Sequence, residues 1–278
     1  CLRRSRTSYL PCAKIKRTLA MFLTKRVKIS IITVLLSLSL FCFPFVDANL
    51  KIYYLGAIVV ASYLLSVWSI YRDLHGFEFI NLFVLPVLLT LSFGLFIYQF
   101  TPGPEIRLLL SIVYGVVVYI NLLAENIFNV SAERNIPLLR AARTVGYLVT
   151  LFVSFAFFSL LYGLGLSWWV LTVVSFLIGI LIFAQAVWQV ELEETLSREL
   201  IIVSLVSGLL LSQLAAALAF WPLTPPKVGL AMTAMVYVTL GILQHMIQKD
   251  LTKRAAFEYV FLALSVFLFL IVTTTWGI

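Results

Sequence analysis

The chain has 278 residues, 62% of them hydrophobic and 12% charged, with 20 Lys and Arg against 12 Asp and Glu for a net charge of +8. Soluble domains carry about half apolar and a quarter charged residues, and the mean hydropathy here is +1.07. Such a composition excludes a soluble globular enzyme, a disordered tail, a disulfide scaffold and a free nucleic-acid-binding domain. It leaves a protein embedded in a bilayer, whose surplus of positive charge must be explained by location.

From the N-terminus, residues 1–28 form a basic segment expected to be a disordered cytoplasmic leader, followed over 29–278 by a single transmembrane helical domain. The chain opens on Cys1 and its first methionine is Met21, so residues 1–20 are expected to be upstream translation or a fragment boundary. The three cysteines, Cys1, Cys12 and Cys42, are too few and scattered for a disulfide framework. Cys42 also lacks the small preceding residue of a lipoprotein site. No Cys or His cluster has metal-ligand spacing, so no metal and no cofactor are expected.

A bilayer core of about 30 Å needs roughly 20 apolar residues in a helix. Nine stretches meet that length, at about 29–46, 52–71, 79–100, 106–124, 143–162, 167–190, 200–221, 228–247 and 257–278. They lack the alternation of strands, and a spanning segment must satisfy its own backbone, so all are read as helices. The fold class is therefore all-α, a polytopic transmembrane bundle. The first stretch also has the parts of a signal peptide: Lys25, Arg26 and Lys28, an apolar core, and Val46-Asp47-Ala48 as a cleavage site. Its length and the array of spans behind it favour a retained helix, and cleavage would leave eight spans.

Orientation follows from Lys and Arg in the connections. With the N-terminus inside, the inner segments hold 17 and the outer ones only Lys51, Arg107 and Lys227. Without the first 20 residues the ratio is 11 to 3. The expected topology is N-in and C-out. Tyr53, Tyr54, Trp68, Tyr71, Trp168, Trp169, Trp188, Trp221, Tyr259 and Trp276 fall near span ends and read as interface anchors. In the seventh span Ser204, Gly208, Ser212 and Ala216 recur every four residues, a face on which a neighbouring helix can approach closely.

Polar residues concentrate at the inner ends. The third inner connection carries Asn121, Glu125, Asn126, Asn129, Ser131, Glu133, Arg134, Asn135, Arg140 and Arg143. Arg140 and Arg143 lie three apart on one helical face. With Arg134 nearby, they form a candidate site for an anion or a lipid headgroup, because paired guanidinium groups match phosphate oxygens. Anchoring to anionic lipid at the cytoplasmic face is the plainer reading. Gln185 and Gln189 are four apart near the end of the sixth span, beside the Glu191–Glu194 turn. His245 lies one turn from the end of the eighth, and Gln213 is placed mid-span in the seventh. Asn121, Glu125, Gln185, Gln189, Gln213 and His245 together are the residues available to line a polar cavity. No Asp, Glu, Lys or Arg falls at the centre of any span read this way, which counts against ion-coupled transport. No catalytic set is recognisable.

Leu123-Ala-Glu125-Asn126-Ile-Phe-Asn129-Val-Ser131-Ala-Glu133-Arg134, continued by Leu138-Leu139-Arg140-Ala-Ala-Arg143, resembles a stretch found in uncharacterised bacterial multi-pass membrane proteins. Phe220-Trp221-Pro222-Leu223 and Gly241-Ile-Leu-Gln244-His245 add to the resemblance, which covers roughly residues 50–260. It implies a domain of unknown function in a bacterial cytoplasmic membrane and carries over no site residues. Three functions stay open. The leading one is a non-enzymatic scaffold or partner-binding envelope component, with the lipid bilayer, a membrane-protein partner or a second copy as its contacts and no nucleic acid. A transporter or channel for a small or lipidic solute requires Gln213, Gln185 and Asn121 to line one cavity. An enzyme acting on lipid headgroups requires Glu125 or Glu133 to converge with Arg140 and Arg143.

Overall fold

The computed structural model of the chain describes residues 10–70, 81–133, 138–191, 197–249 and 252–274. Among these residues there are no strands and nine α-helices. They are α1 (Leu10–Cys42), α2 (Lys51–Ile70), α3 (Val84–Phe100), α4 (Pro104–Glu133), α5 (Leu139–Gly163), α6 (Trp168–Glu191), α7 (Arg198–Ala219), α8 (Pro225–Gln248) and α9 (Lys253–Thr273). Eight contain a stretch long and apolar enough to cross a membrane. α1 is helical from Leu10, where an unstructured leader is expected. The segment is rich in Lys, Arg, Ala and Leu, which favour helix, and its one proline, Pro11, falls in the first turn.

α3 is the exception in length, with 17 residues, or about 25 Å at 1.5 Å per residue. It is also the most enclosed helix, packing against α2, α4, α5 and α6, with Leu85, Leu89, Thr90, Ser92 and Ile97 all buried. A helix wrapped by protein need not match the bilayer thickness, since lipid touches little of it. The sequence places the start of this span near residue 79, but the described helix begins at Val84 after a turn at Leu82 and Phe83. It ends at Thr101, which turns left-handed at φ 38° ahead of Pro102.

α6 and α7 form the tightest pair. A Cβ built on Gly179 would lie 3.1 Å from the Gly208 Cα, and one on Gly208 would lie 3.0 Å from the Ile180 nitrogen. Ser204, Gly208 and Ser212 are buried and Ala216 is half-buried. This follows the packing logic of membranes, in which small residues let backbones approach where no hydrophobic force acts between helices. α9 is the opposite case: it packs on α8, and within the helix only Leu270 is buried.

The bundle has two chemically distinct ends. At one lie the prolines of the α1–α2, α3–α4 and α7–α8 connections. That end is tied together by Arg107 over the Phe45 ring, by Trp168 against Phe220, and by Lys227 donating to the Thr273 carbonyl. At the other end gather Asn81, Asn121, Glu125, Gln185 and Gln189, inside an apolar shell that includes Phe83, Phe128 and Trp188.

Candidate functional site

α4 is longer than its apolar run. The span ending at residue 124 leaves Glu125 in a connection, whereas the helix continues unbroken to Glu133. This corrects the placement of Glu125, which is fully buried at 0% exposure. Asn121, Glu125 and Asn129 recur every four residues and so face the same way along α4; all three are buried. On α6, Gln185 and Gln189 form a matching buried pair. The two polar stripes meet side chain to side chain, at Glu125 and Gln185.

Gln185 is the hub. Its Nε2 donates to Glu125 Oε1 at 2.8 Å, and its Oε1 accepts from the Leu85 backbone N–H at 3.0 Å. Leu85 is the second residue of α3, where the first-turn amides have no partner within the helix. One side chain on α6 therefore caps α3 and holds the carboxyl of α4, joining three helices. Asn81 Nδ2 donates to the Ala184 carbonyl at 3.4 Å, tying the segment before α3 to the same turn of α6.

Arg143, near the start of α5, closes the end of α6. Its Nε donates to the Gln189 carbonyl at 3.2 Å and its Nη2 to the Val190 carbonyl at 2.8 Å. A cation on the last carbonyls of a helix satisfies acceptors left over by the helix and complements its dipole. Gly146, one turn along α5, makes room for Gln189: a Cβ there would lie 2.7 Å from Gln189 Oε1.

Among the described residues, several polar atoms in this region have no hydrogen-bond partner: both amide atoms of Asn121, Glu125 Oε2, Gln189 Nε2 and Ser66 Oγ. Groups of this kind are commonly met by buried water.

The remaining candidates lie elsewhere. Arg140 is exposed while Arg143 is engaged with α6, so the two do not share one surrounding. Arg134 lies outside the described residues, and the side chain of Glu133 is also outside them. Gln213 is exposed on the outward face of α7 and does not join Gln185 and Asn121. Its position mid-span is visible in sequence, but which way it points depends on the α6–α7 contact. His245 is half-buried on α8, its ring 6.0 Å from that of Tyr259 on α9.

Two features escape the sequence. Arg143 serves as a helix cap, and Tyr114 hydroxyl pairs with Thr90 Oγ1 at 2.8 Å deep between α3 and α4. The available signal was periodic: Asn121, Glu125 and Asn129 share the four-residue spacing of Gln185 and Gln189.

A helical bundle with eight membrane-length apolar helices among the described residues, and a polar joint sealed at one end, defines a multi-pass membrane protein. Residues 31–273 match the family described as "Protein of unknown function (DUF5656)", and the chain belongs to that family. Neither a curated protein nor a solved structure matches the chain.

Proposed function

We propose that this chain is a non-enzymatic component of a cell membrane, a scaffold that presents a rigid helical frame to a partner. The observation supporting this reading is the use to which interior polar groups are put. Gln185 joins α3, α4 and α6, Arg143 joins α5 to α6, and Gln99 on α3 donates to the Leu160 carbonyl of α5 at 2.8 Å. Tyr162 donates to the Ala215 carbonyl of α7 and Ser37 to the Ser111 carbonyl of α4. Each of these bonds links helices, and at the polar joint the carboxyl that a catalyst would need is enclosed. In a bilayer such interhelical bonds add specificity to van der Waals packing.

The membrane is proposed to be a bacterial cytoplasmic one, with the N-terminus inside, the C-terminus outside and anionic lipid at the cytoplasmic face. The concentration of Lys and Arg in alternate connections supports that orientation. A reporter fused after Ile278 should be found on the side opposite the N-terminus. A reporter on the same side would overturn the topology.

The functional reading is tested by purifying the full chain from its native membrane in mild detergent and identifying co-purifying molecules by mass spectrometry. A protein partner or second copy at a fixed stoichiometry supports a scaffold. Conversion of a lipid headgroup by the purified chain in vesicles would overturn it.

A further inference from the structure

We infer that the bundle carries a lipid-binding cleft at its proline end, taking one acyl chain of an anionic phospholipid whose phosphate lies at Arg107. The proposal stands apart from the scaffold reading and uses none of the polar joint. A cavity of about 810 Å³ opens between α3, α4, α5 and the start of α8. That volume is in the range of small-molecule sites, which are mostly apolar with a few fixed polar groups. Its walls follow this pattern: Phe96, Phe100, Phe152 and Phe155 supply apolar surface, and Gln99 and Ser159 supply the polar atoms. Gln99 is already held by the Leu160 carbonyl at 2.8 Å, while Ser159 Oγ has no hydrogen-bond partner among the described residues.

The occupant follows from position and charge. The cleft lies between membrane-spanning helices and is open on its flank, so the chains that reach it are those of lipid. Its end lies at the α3–α4 connection, where Arg107 Nη2 donates to the Pro102 carbonyl at 3.3 Å, two residues beyond the lining residue Phe100. Arg107 is also one helical turn from Leu110, another lining residue. Its guanidinium also lies over the Phe45 ring at 5.1 Å, and the residue stays partly exposed. A fixed, partly exposed cation near the end of an aromatic slot for a hydrocarbon chain matches the charge of an anionic phospholipid. Glu105 on the same helix is exposed, and Lys227 beside Pro226 is engaged with the end of α9.

The test uses the full chain in detergent and native mass spectrometry with phosphatidylglycerol or phosphatidylcholine of the same acyl composition. The wild type should retain one phosphatidylglycerol, and phosphatidylcholine about fivefold less, the effect of a single cation on an anionic headgroup. Ala156→Trp, which places an indole in the cleft, should abolish retention of both. Arg107→Gln, which leaves the cleft walls intact, should equalise the two lipids. Equal retention by the wild type would overturn the proposal, as would Ala156→Trp binding like the wild type. Should Ala156→Trp fail to fold, Arg107→Gln decides alone: unchanged selectivity refutes the headgroup site.

Discussion

At one end of the bundle Gln185 and Glu125 sit at 1% and 0% exposure and tie three helices together; at the other, phenylalanines border an open cleft of about 810 Å³. α3 runs between the two. Its first turn is capped by Gln185 and its last turn contributes Phe96, Gln99 and Phe100 to the cleft. The polar end gains definition from bonds that have a single geometry, because an amide or carboxyl buried without its partner is costly. The aromatic end has its own bonds, from Gln99 to Leu160 and from Lys227 to Thr273, but its phenylalanine wall is held by packing, which tolerates change where the wall already faces an opening. Rigidity is thus concentrated where α3 begins and relaxed where it ends.

If this contrast is correct, substitutions should separate by end when stability is read from denaturant or thermal unfolding in detergent. The largest effect is expected for Gln185→Leu, which strips partners from the Leu85 amide and Glu125 together, at about 3 kcal/mol. Arg143→Met leaves two terminal carbonyls of α6 without their donor and should cost about 2 kcal/mol. Gly146→Ala presses only on the far end of the Gln189 side chain, so about 1 kcal/mol is expected as that amide shifts. Phe155→Leu, on the half-open wall of the cleft, should cost less than about 0.5 kcal/mol. A loss at Phe155 equal to that at Gln185 would abolish the distinction between the ends. A neutral Gln185→Leu would mean that water takes over both bonds.

The number and placement of helices are legible in the sequence because apolar length is the dominant constraint in a bilayer. The expected spans 143–162 and 167–190 correspond to α5 at Leu139–Gly163 and α6 at Trp168–Glu191. The boundaries fail where a helix outruns its apolar run or is sheltered from lipid. Counting hydrophobic residues halts α4 before Glu125, since a carboxyl bonded inside the protein and one in a loop contribute the same polarity to the count. The short α3 fails for the converse reason: enclosure by α2, α4, α5 and α6 removes the need to match membrane thickness. The polar joint was half legible. Its residues were visible as two four-residue stripes, whereas their meeting depends on which helix faces α4, a tertiary fact that periodicity does not carry. The same holds for Gln213, whose depth is legible and whose direction is not.

The cap on α3 also bears on how the chain is made. The Leu85 amide waits for an acceptor 100 residues later in the sequence, so α3 is synthesised and inserted well before the helix that completes its first turn exists. Until α5 and α6 follow, its buried Thr90 and Ser92 must reside among lipid or transient neighbours. The hydroxyls of both bond back to carbonyls four residues earlier in the same helix, at 2.7 and 2.8 Å. That self-sufficiency equips an interior helix to endure a lipid-facing interval during biogenesis. Protease sensitivity of chains truncated before and after α6 reads when that interval closes.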